Sequence, residues 1–459
     1  MKRILGALLA LSLLLGGCAG LPGSKGADSD SSTVAPDTAE AAATPEAAAP
    51  GRLAVYYAQD NAAASLALTA YAEAENVELT TVDDPAAAGL AVLAGEPGEG
   101  SGYRDLLSKP VLAAAASRAG VDITAEGAVC RSLPLGRCLY GYWADGDLLT
   151  ALLGENALTD LQAATWDEWS DFADTLGGWI EKPSAQKVTL NGNVHTLPAE
   201  LPEAAANLNG VFALPTGADA FTGAAYSSAL VAANWVLTEE ALSGPLHGVL
   251  SCFELETGHL AGPDAALARG DDLARLSTAD ATALLGEGKA LFYRGRLTDA
   301  MTTLPADFCQ RLVAVPQKCE LTDEDVTAPD YNVDGLLNYP VLVTAGRLAI
   351  PDSADEAAAT AGESAILWLY ASGEGSTALT ETLGLITPWN TASDTTALGA
   401  MQVAQVSAGV VPGAELSDEA LKNAASAMDP LLALAKWKNT DKADFVTAAE
   451  QALGVSFAE

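Results

Sequence analysis

The chain has 459 residues and a formal net charge of −37, from 60 acidic against 23 basic side chains. So acidic a protein is not a nucleic-acid binder, whose phosphates demand Lys and Arg, and it does not adsorb to anionic lipid; the charge suits solubility outside the cytoplasm. The length exceeds the ~250–300 residues that one core ordinarily serves, so two lobes are expected.

The first residues, MKRILGALLALSLLLGGCAG, place Lys2 and Arg3 before the apolar run 4–15 and then small residues. The run suits a signal-peptide core and is too short to span a bilayer as a helix. Leu15-Gly16-Gly17-Cys18 resembles a bacterial lipobox. Residues 1–17 are therefore expected to be removed, leaving Cys18 acylated and lasting anchorage from more than one chain. Residues 19–51 are mostly Ala, Pro, Ser, Asp, Glu and Thr, a composition that cannot bury enough apolar surface to fold, and are expected to form a disordered tether. The best later candidate for a membrane span, 224–237, is short and interrupted by Ser227, Ser228 and Asn234.

Segment 52–59 (RLAVYYAQ) reads as a first strand ended by the turn Asp60-Asn61. An alanine-rich helix follows to Ala74, then a strand over 77–82 and a wholly apolar strand over 89–94. This β-α-β-β alternation predicts an α/β lobe with a mainly parallel sheet. An aromatic strand over 135–143 and a short helix over 147–153 come next. Thr165-Trp166-Asp167-Glu168 is a capping box, opening a helix with Trp169, Phe172, Ala173 and Leu176 on its core face and a stop at Gly177-Gly178. Segment 187–196 is a hairpin turning at Asn191-Gly192. Ser353-Ala354-Asp355-Glu356 repeats the capping-box pattern before a helix that stops near Gly373, and the chain from 418 onward is largely helical and amphipathic.

Of six cysteines, Cys18 is taken by the lipobox. In an oxidising compartment the simplest pairings of the rest are Cys130 with Cys138 and Cys309 with Cys319, which leaves Cys252 as a buried free thiol. No spacing among these and His195, His247 and His259 forms a zinc pattern, so no metal and no cofactor are expected.

Four stretches together resemble the family 1 extracellular solute-binding proteins, the receptors of carbohydrate ABC importers related to maltose-binding protein. They are Tyr140-Gly141-Tyr142-Trp143 with Asp147-Leu148-Leu149 and Thr165 to Trp169; Gly288-Lys289-Ala290-Leu291-Phe292 with Arg294-Gly295; Gly346 to Pro351 leading to Trp368-Leu369-Tyr370-Ala371-Ser372; and Gly384 to Asn390. The resemblance covers about 53–409 and rests on order and spacing rather than on one motif. The stretch 85–120 is shorter and richer in alanine than the family's. The resemblance implies a type II periplasmic-binding-protein-like α/β fold: two lobes joined by crossing strands, with a solute held in the cleft and hinge closure signalling to a permease. It places 52–141 and 288–349 in one lobe, 142–287 and 350–459 in the other.

Sugars need aromatic platforms and paired donors and acceptors. Candidate ligand residues are Gln59 and Asp60 at the end of the first strand, Tyr140 and Trp143 near the lobe crossing, Phe221 in a glycine-bearing loop, Arg294 after an apolar strand, and Trp389 after Pro388. Each has a plain alternative: a turn for Gln59 and Asp60, core packing for the aromatics, a structural ion pair for Arg294. Trp166, Trp169, Trp179, Trp235 and Trp368 lie in or beside helical patterns and read as core.

The leading reading is a lipid-anchored, monomeric, non-enzymatic receptor on the outer face of the cell membrane. Its partners are a small solute, carbohydrate in class, and ABC permease subunits. An exported glycoside hydrolase would need two opposed carboxylates, and no acid/base motif, Gly-x-Ser-x-Gly elbow, P-loop or His-Glu-x-x-His is present. A degenerate homologue serving as adhesin or sensor is the third reading.

Overall fold

The computed structural model describes residues 51–58, 61–215, 223–264, 276–389, 397–414 and 438–457, with 416, 420, 423 and 426. Cys18, the tether, Gln59, Asp60 and Phe221 lie outside the described residues. No described helix is long and apolar enough to cross a membrane.

The chain opens as expected. Strand β1 (Gly51–Tyr57) leads through Asn61, whose side chain accepts from Ala64 N, into helix α1 (Ala62–Glu75). Strands β2 (Val77–Val82) and β3 (Leu90–Leu93) both pair parallel to β1. Helix α2 (Pro110–Arg118) follows, then β4 (Leu133–Pro134) and the long β5 (Arg137–Asp145). Helices α3 (Gly146–Leu153), α4 (Ala157–Ala163) and α5 (Trp166–Glu181) precede the hairpin β6 (Gln186–Leu190) and β7 (Asn193–Leu197). The second half holds β8 (Gly210–Ala213), α6 (Gly223–Ala232), α7 (Glu239–Gly258), α8 (Thr278–Gly286), β9 (Ala290–Arg296) and α9 (Leu297–Thr303). It continues with β10 (Leu312–Val315), β11 (Val341–Thr344), β12 (Arg347–Ala349), α10 (Glu356–Ala371), α11 (Ala397–Ala408), β13 (Val411–Pro412) and α12 (Asn439–Phe457).

Two sheets organise these elements. The first runs β2-β1-β3-β12-β4; the second runs β13-β11-β5-β9-β8, with β10 also paired to β5. The first is parallel over β2-β1-β3 and antiparallel where β12 joins. Helices α1 and α10 pack on it, and α2 packs on α10. Helix α10 lies so close that a Cβ on Gly362 would fall 2.1 Å from the Gly89 carbonyl oxygen, so the helix–strand contact requires glycine there.

Strand β5 is buried along nearly its whole length, as suits the centre of a covered sheet. Its alternate residues feed two cores. Tyr142 joins Trp169, Phe172, Phe212 and Phe292 on one face, and Leu139 and Trp143 join Tyr293, Leu285 and Leu297 on the other. Ring centroids in the aromatic core lie 4.9 Å apart for Tyr142–Trp169 and 5.2 Å for Trp169–Phe292.

Three segments connect the sheets side by side. Leu135 N donates to Gly346 O at 2.9 Å, and Ala345 N donates to Gly136 O at 2.9 Å. On the other side Arg137 and Ile386 exchange two backbone hydrogen bonds of 2.8 Å. Gly136 (φ 146°) and Gly346 (φ 140°) lie at the crossings in backbone conformations that side chains rarely adopt.

Several local expectations change. Of the segment 288–349 expected in the first lobe, β9, β10 and β11 belong to the second sheet and only β12 to the first. Helix α10, expected with the second lobe, packs on the first sheet. The chain therefore crosses at 134–137, at 344–347 and again near 386, and the crossing expected at 287–288 is not made. The capping box at Thr165 forms as expected, but α5 runs through Gly177 and Gly178 to Glu181. Gly177 serves packing, since a Cβ there would fall 2.3 Å from the His259 ring. Helix α10 is capped by Asp355, whose side chain accepts from Ala358 N, and not by Ser353. The hairpin turn at Asn191 (φ 50°) and Gly192 (φ 72°) is as expected. Trp235 is 42% exposed rather than core, because Asn234 and Trp235 both take left-handed conformations just past the end of α6.

All five described cysteines are free and buried, so neither expected disulfide forms. Cys309 and Cys319 belong to different cores. Cys130 donates its thiol to Ser132 O, whereas Cys138 stands on β5 facing the Thr298 hydroxyl. Cys252 is the buried free thiol expected.

Candidate functional site

A cavity of about 640 Å3 opens where the parallel strands β1 and β2 end. The ends of such strands are where open α/β sheets place ligands. Tyr56, Tyr57, Asn61, Ser65, Thr81 and Asp83 line it from the first sheet; Thr278 and Ala279 at the start of α8, and Thr303 at the end of α9, line it from the second. Helix α9 packs against α1 beside it. The site thus lies between the two sheets, and relative motion at the crossings would change its width.

The lining is two phenol rings, hydroxyls and an amide. Burial pushes the Tyr57 phenol above its ordinary pKa against the effect of its hydrogen bond with Ser65, so it stays a neutral donor or acceptor at physiological pH. Asp83 is the one ionisable carboxylate among the described lining residues. Such a surface pairs with hydroxyl groups and offers ring faces to C–H surfaces; it offers an acidic ligand no cation.

The candidate residues from the sequence separate into groups. Gln59, Asp60 and Phe221 lie outside the described residues; the described neighbours Ala58 and Asn61 flank the first two, and Asn61 lines the cavity. Tyr140 and Trp143 are 2% and 0% exposed. The Trp143 indole donates to Gly295 O at 2.9 Å, a core arrangement. Trp389 is partly buried on the first lobe: its indole donates to Ser376 Oγ at 2.9 Å, the Arg118 guanidinium sits 5.0 Å above its ring, and Tyr370 meets it edge-on.

Arg294 takes its structural alternative. Its Nε lies 2.8 Å from Glu256 Oε1, and its Nη1 donates to Tyr140 Oη at 2.7 Å. Tyr142 Oη donates to the same Glu256 oxygen at 2.7 Å, and the guanidinium stands 5.0 Å over the Phe253 ring. Burial raises the Glu256 carboxyl above its usual range against the pull of Arg294; burial works against the guanidinium charge, but Glu256 outweighs it and holds the group protonated. Sequence reasoning found the basic residue but not its partner, which lies on α7 and carries no motif.

Tyr57, Ser65, Thr81, Thr278 and Thr303 were missed. The one usable signal was the rule that ligands gather at the carboxyl ends of parallel strands, applied to β2 as well as β1. The threonines of α8 and α9 come from distant sequence and give no local signal.

No protein-family model matches the chain, and no curated protein sequence does. Solved structures do match. Maltose-bound T. maritima MalE3 superposes with a TM-score of 0.56 at 12% identity, over 88% of this chain and 99% of that one. The bacterial solute receptor AcbH, described by its preference for β-D-galactopyranose, gives 0.55 at 12%, over 89% and 100%. An ABC transporter solute-binding protein of Agrobacterium vitis S4 with bound D-mannitol gives 0.54 at 11%, over 89% and 99%. The fold is that of the ABC-transporter solute receptors. At such identity it is the two-lobed architecture that is shared, and it agrees with the fold expected from the resemblance.

Proposed function

We propose that the protein is an extracytoplasmic receptor that captures a neutral, hydroxyl-rich solute, a sugar or a polyol, and presents it to an ABC transporter permease. It is held at the membrane by acylated Cys18 and acts as a monomer without catalysing a reaction. The observation that carries the reading is the cavity between the sheets, with its phenols, hydroxyls and amide and no described cation in its lining. The two sheets support assigning the described residues of 51–134 and 347–389 to one lobe, and those of 137–344 and 397–457 to the other. Among proteins sharing the fold, one receptor prefers galactopyranose and others hold mannitol or maltose, which supports this ligand class.

A glycoside hydrolase needs a second carboxylate facing Asp83 across the cavity, and the described lining supplies none. The test is a thermal-shift screen of the full-length protein in mild detergent against D-galactose, maltose, D-mannitol and ribitol, with a peptide as control, followed by product analysis. A binder gains stability with a specific solute by mass action and leaves it intact. Product formation overturns the receptor reading. Palmitate labelling lost in Cys18→Ala tests the anchor separately.

A further inference from the structure

Asn61 stands at two places at once. Its side chain is 7% exposed and lines the cavity. Its Oδ1 accepts from Ala64 N at 2.8 Å, capping α1. Its Nδ2 donates to Ala345 O at 2.8 Å, across 284 residues of sequence, at the segment that links the two sheets. Ala345 is itself bonded through its N to Gly136 O on the neighbouring crossing segment. Asn61 therefore grips the point where the two glycine-bearing crossings pair.

The contact is close enough to restrict the sequence. A Cβ on Gly346 would fall 2.4 Å from Asn61 Nδ2, so the residue after Ala345 must be glycine for the amide to reach its acceptor. A carboxamide carries two N–H donors and one carbonyl in a rigid plane. The cap and Ala345 use the carbonyl and one N–H; the second N–H has no acceptor among the described residues. Fixing one N–H fixes the direction of the other, on a side chain that lines the cavity. A ligand acceptor bound to that second N–H holds the plane that makes the Ala345 bond, and rotation about Gly136 and Gly346 moves Ala345 relative to α1. The same amide thus senses both.

We propose that Asn61 couples occupancy of the cleft to the hinge, one N–H committed to Ala345 and the other offered to the solute. It is a positioning residue, and its role rests on the cleft being the solute site.

Asn61→Asp separates this role from helix capping, since Asp keeps the acceptor for Ala64 N but loses both N–H donors. The experiment is hydrogen–deuterium exchange of the full-length protein in mild detergent, wild type and N61D, with and without D-galactose, D-mannitol or maltose. In the wild type, the solute that binds slows exchange of peptides over 133–139 and 343–349. In N61D that slowing is lost and affinity falls roughly tenfold, within the usual range of coupling between sites, while exchange over 62–75 is unchanged. Equal solute-dependent protection of 343–349 in both proteins overturns the proposal. If none of these solutes protects the wild type, the sugar reading is what fails. The tie is then judged from basal exchange of 343–349: faster in N61D sustains it, and equal rates overturn it.

Discussion

Arg294 and Glu256 meet in the interior of the second lobe, Nε to Oε1 2.8 Å, with side chains 2% and 0% exposed. The scarcest charge type in this acidic protein is thus committed to holding β9 against α7. Breaking such a pair leaves an uncompensated buried charge, which costs about 3–5 kcal/mol, whereas replacing both partners by apolar residues is often neutral. Glu256→Gln is expected to lose stability on that scale in urea unfolding, and Glu256→Leu with Arg294→Met to recover most of it. Solute affinity of the folded double variant stays at the wild-type value, because Arg294 contacts protein rather than ligand. A large affinity loss in the double variant would return Arg294 to the binding site.

Lys318 is fully buried, its Nζ donating to Gln162 O at 2.8 Å and Asn338 Oδ1 at 3.0 Å. Burial lowers its pKa from 10.5 to about 7, against weaker raising effects from Cys319, Asp334 and Glu168. Between those two values the unfolded chain binds the extra proton, so stability rises with pH across the window and this contribution is flat below about 7. Each unit is worth about 1.4 kcal/mol. Denaturant unfolding from pH 7 to 10 is expected to show a positive lysine-dependent slope that Lys318→Met removes. Identical slopes in the two proteins would contradict the assignment.

Gly136 and Gly346 have φ of 146° and 140° where the lobes connect. A Cβ on Gly136 would also lie 3.0 Å from Leu385 Cβ. Backbone strain of this kind costs about 1–3 kcal/mol. Gly136→Ala is expected to lower the melting temperature accordingly and to weaken solute binding, because the crossing segment no longer reaches its paired geometry. Gly154, also at positive φ but with open space around it, is the control: Gly154→Ala should carry the strain without the loss of binding.

How much of this was legible from the sequence differs by scale. Helix α2 was not, since its alanine-rich run carries no distinct apolar face; strands β1 to β3 and helix α1 were, because alternation, an apolar run and the turn before Asn61 act locally. The Asn191-Gly192 hairpin and the Thr165 capping box were legible for the same reason. The path of the chain between lobes was not: Ala290–Arg296 reads as any buried strand, and only its pairing with Tyr140 to Ala144 assigns it to the second sheet. Gly177 looked like a stop because the His259 ring that needs its space is far away in sequence. The cysteine pairs failed on the same ground, since loop length says nothing of which core each thiol enters. At the cavity, Gln59 and Asp60 at the end of β1 lie outside the described residues, and the opposing threonines give no local signal, since they gather only when the lobes are assembled.

Binding of a neutral hydroxylated solute in the cleft between the sheets stands or falls on the ring of Tyr57, which lines the cavity. The most direct measurement is calorimetric titration of the solute that best stabilises the full-length protein into wild type and Tyr57→Ala. One-to-one binding without heat from turnover is expected, and roughly tenfold weaker binding, about 1.4 kcal/mol, when the ring is removed. Undiminished affinity in Tyr57→Ala would place the solute elsewhere and contradict binding in the cleft.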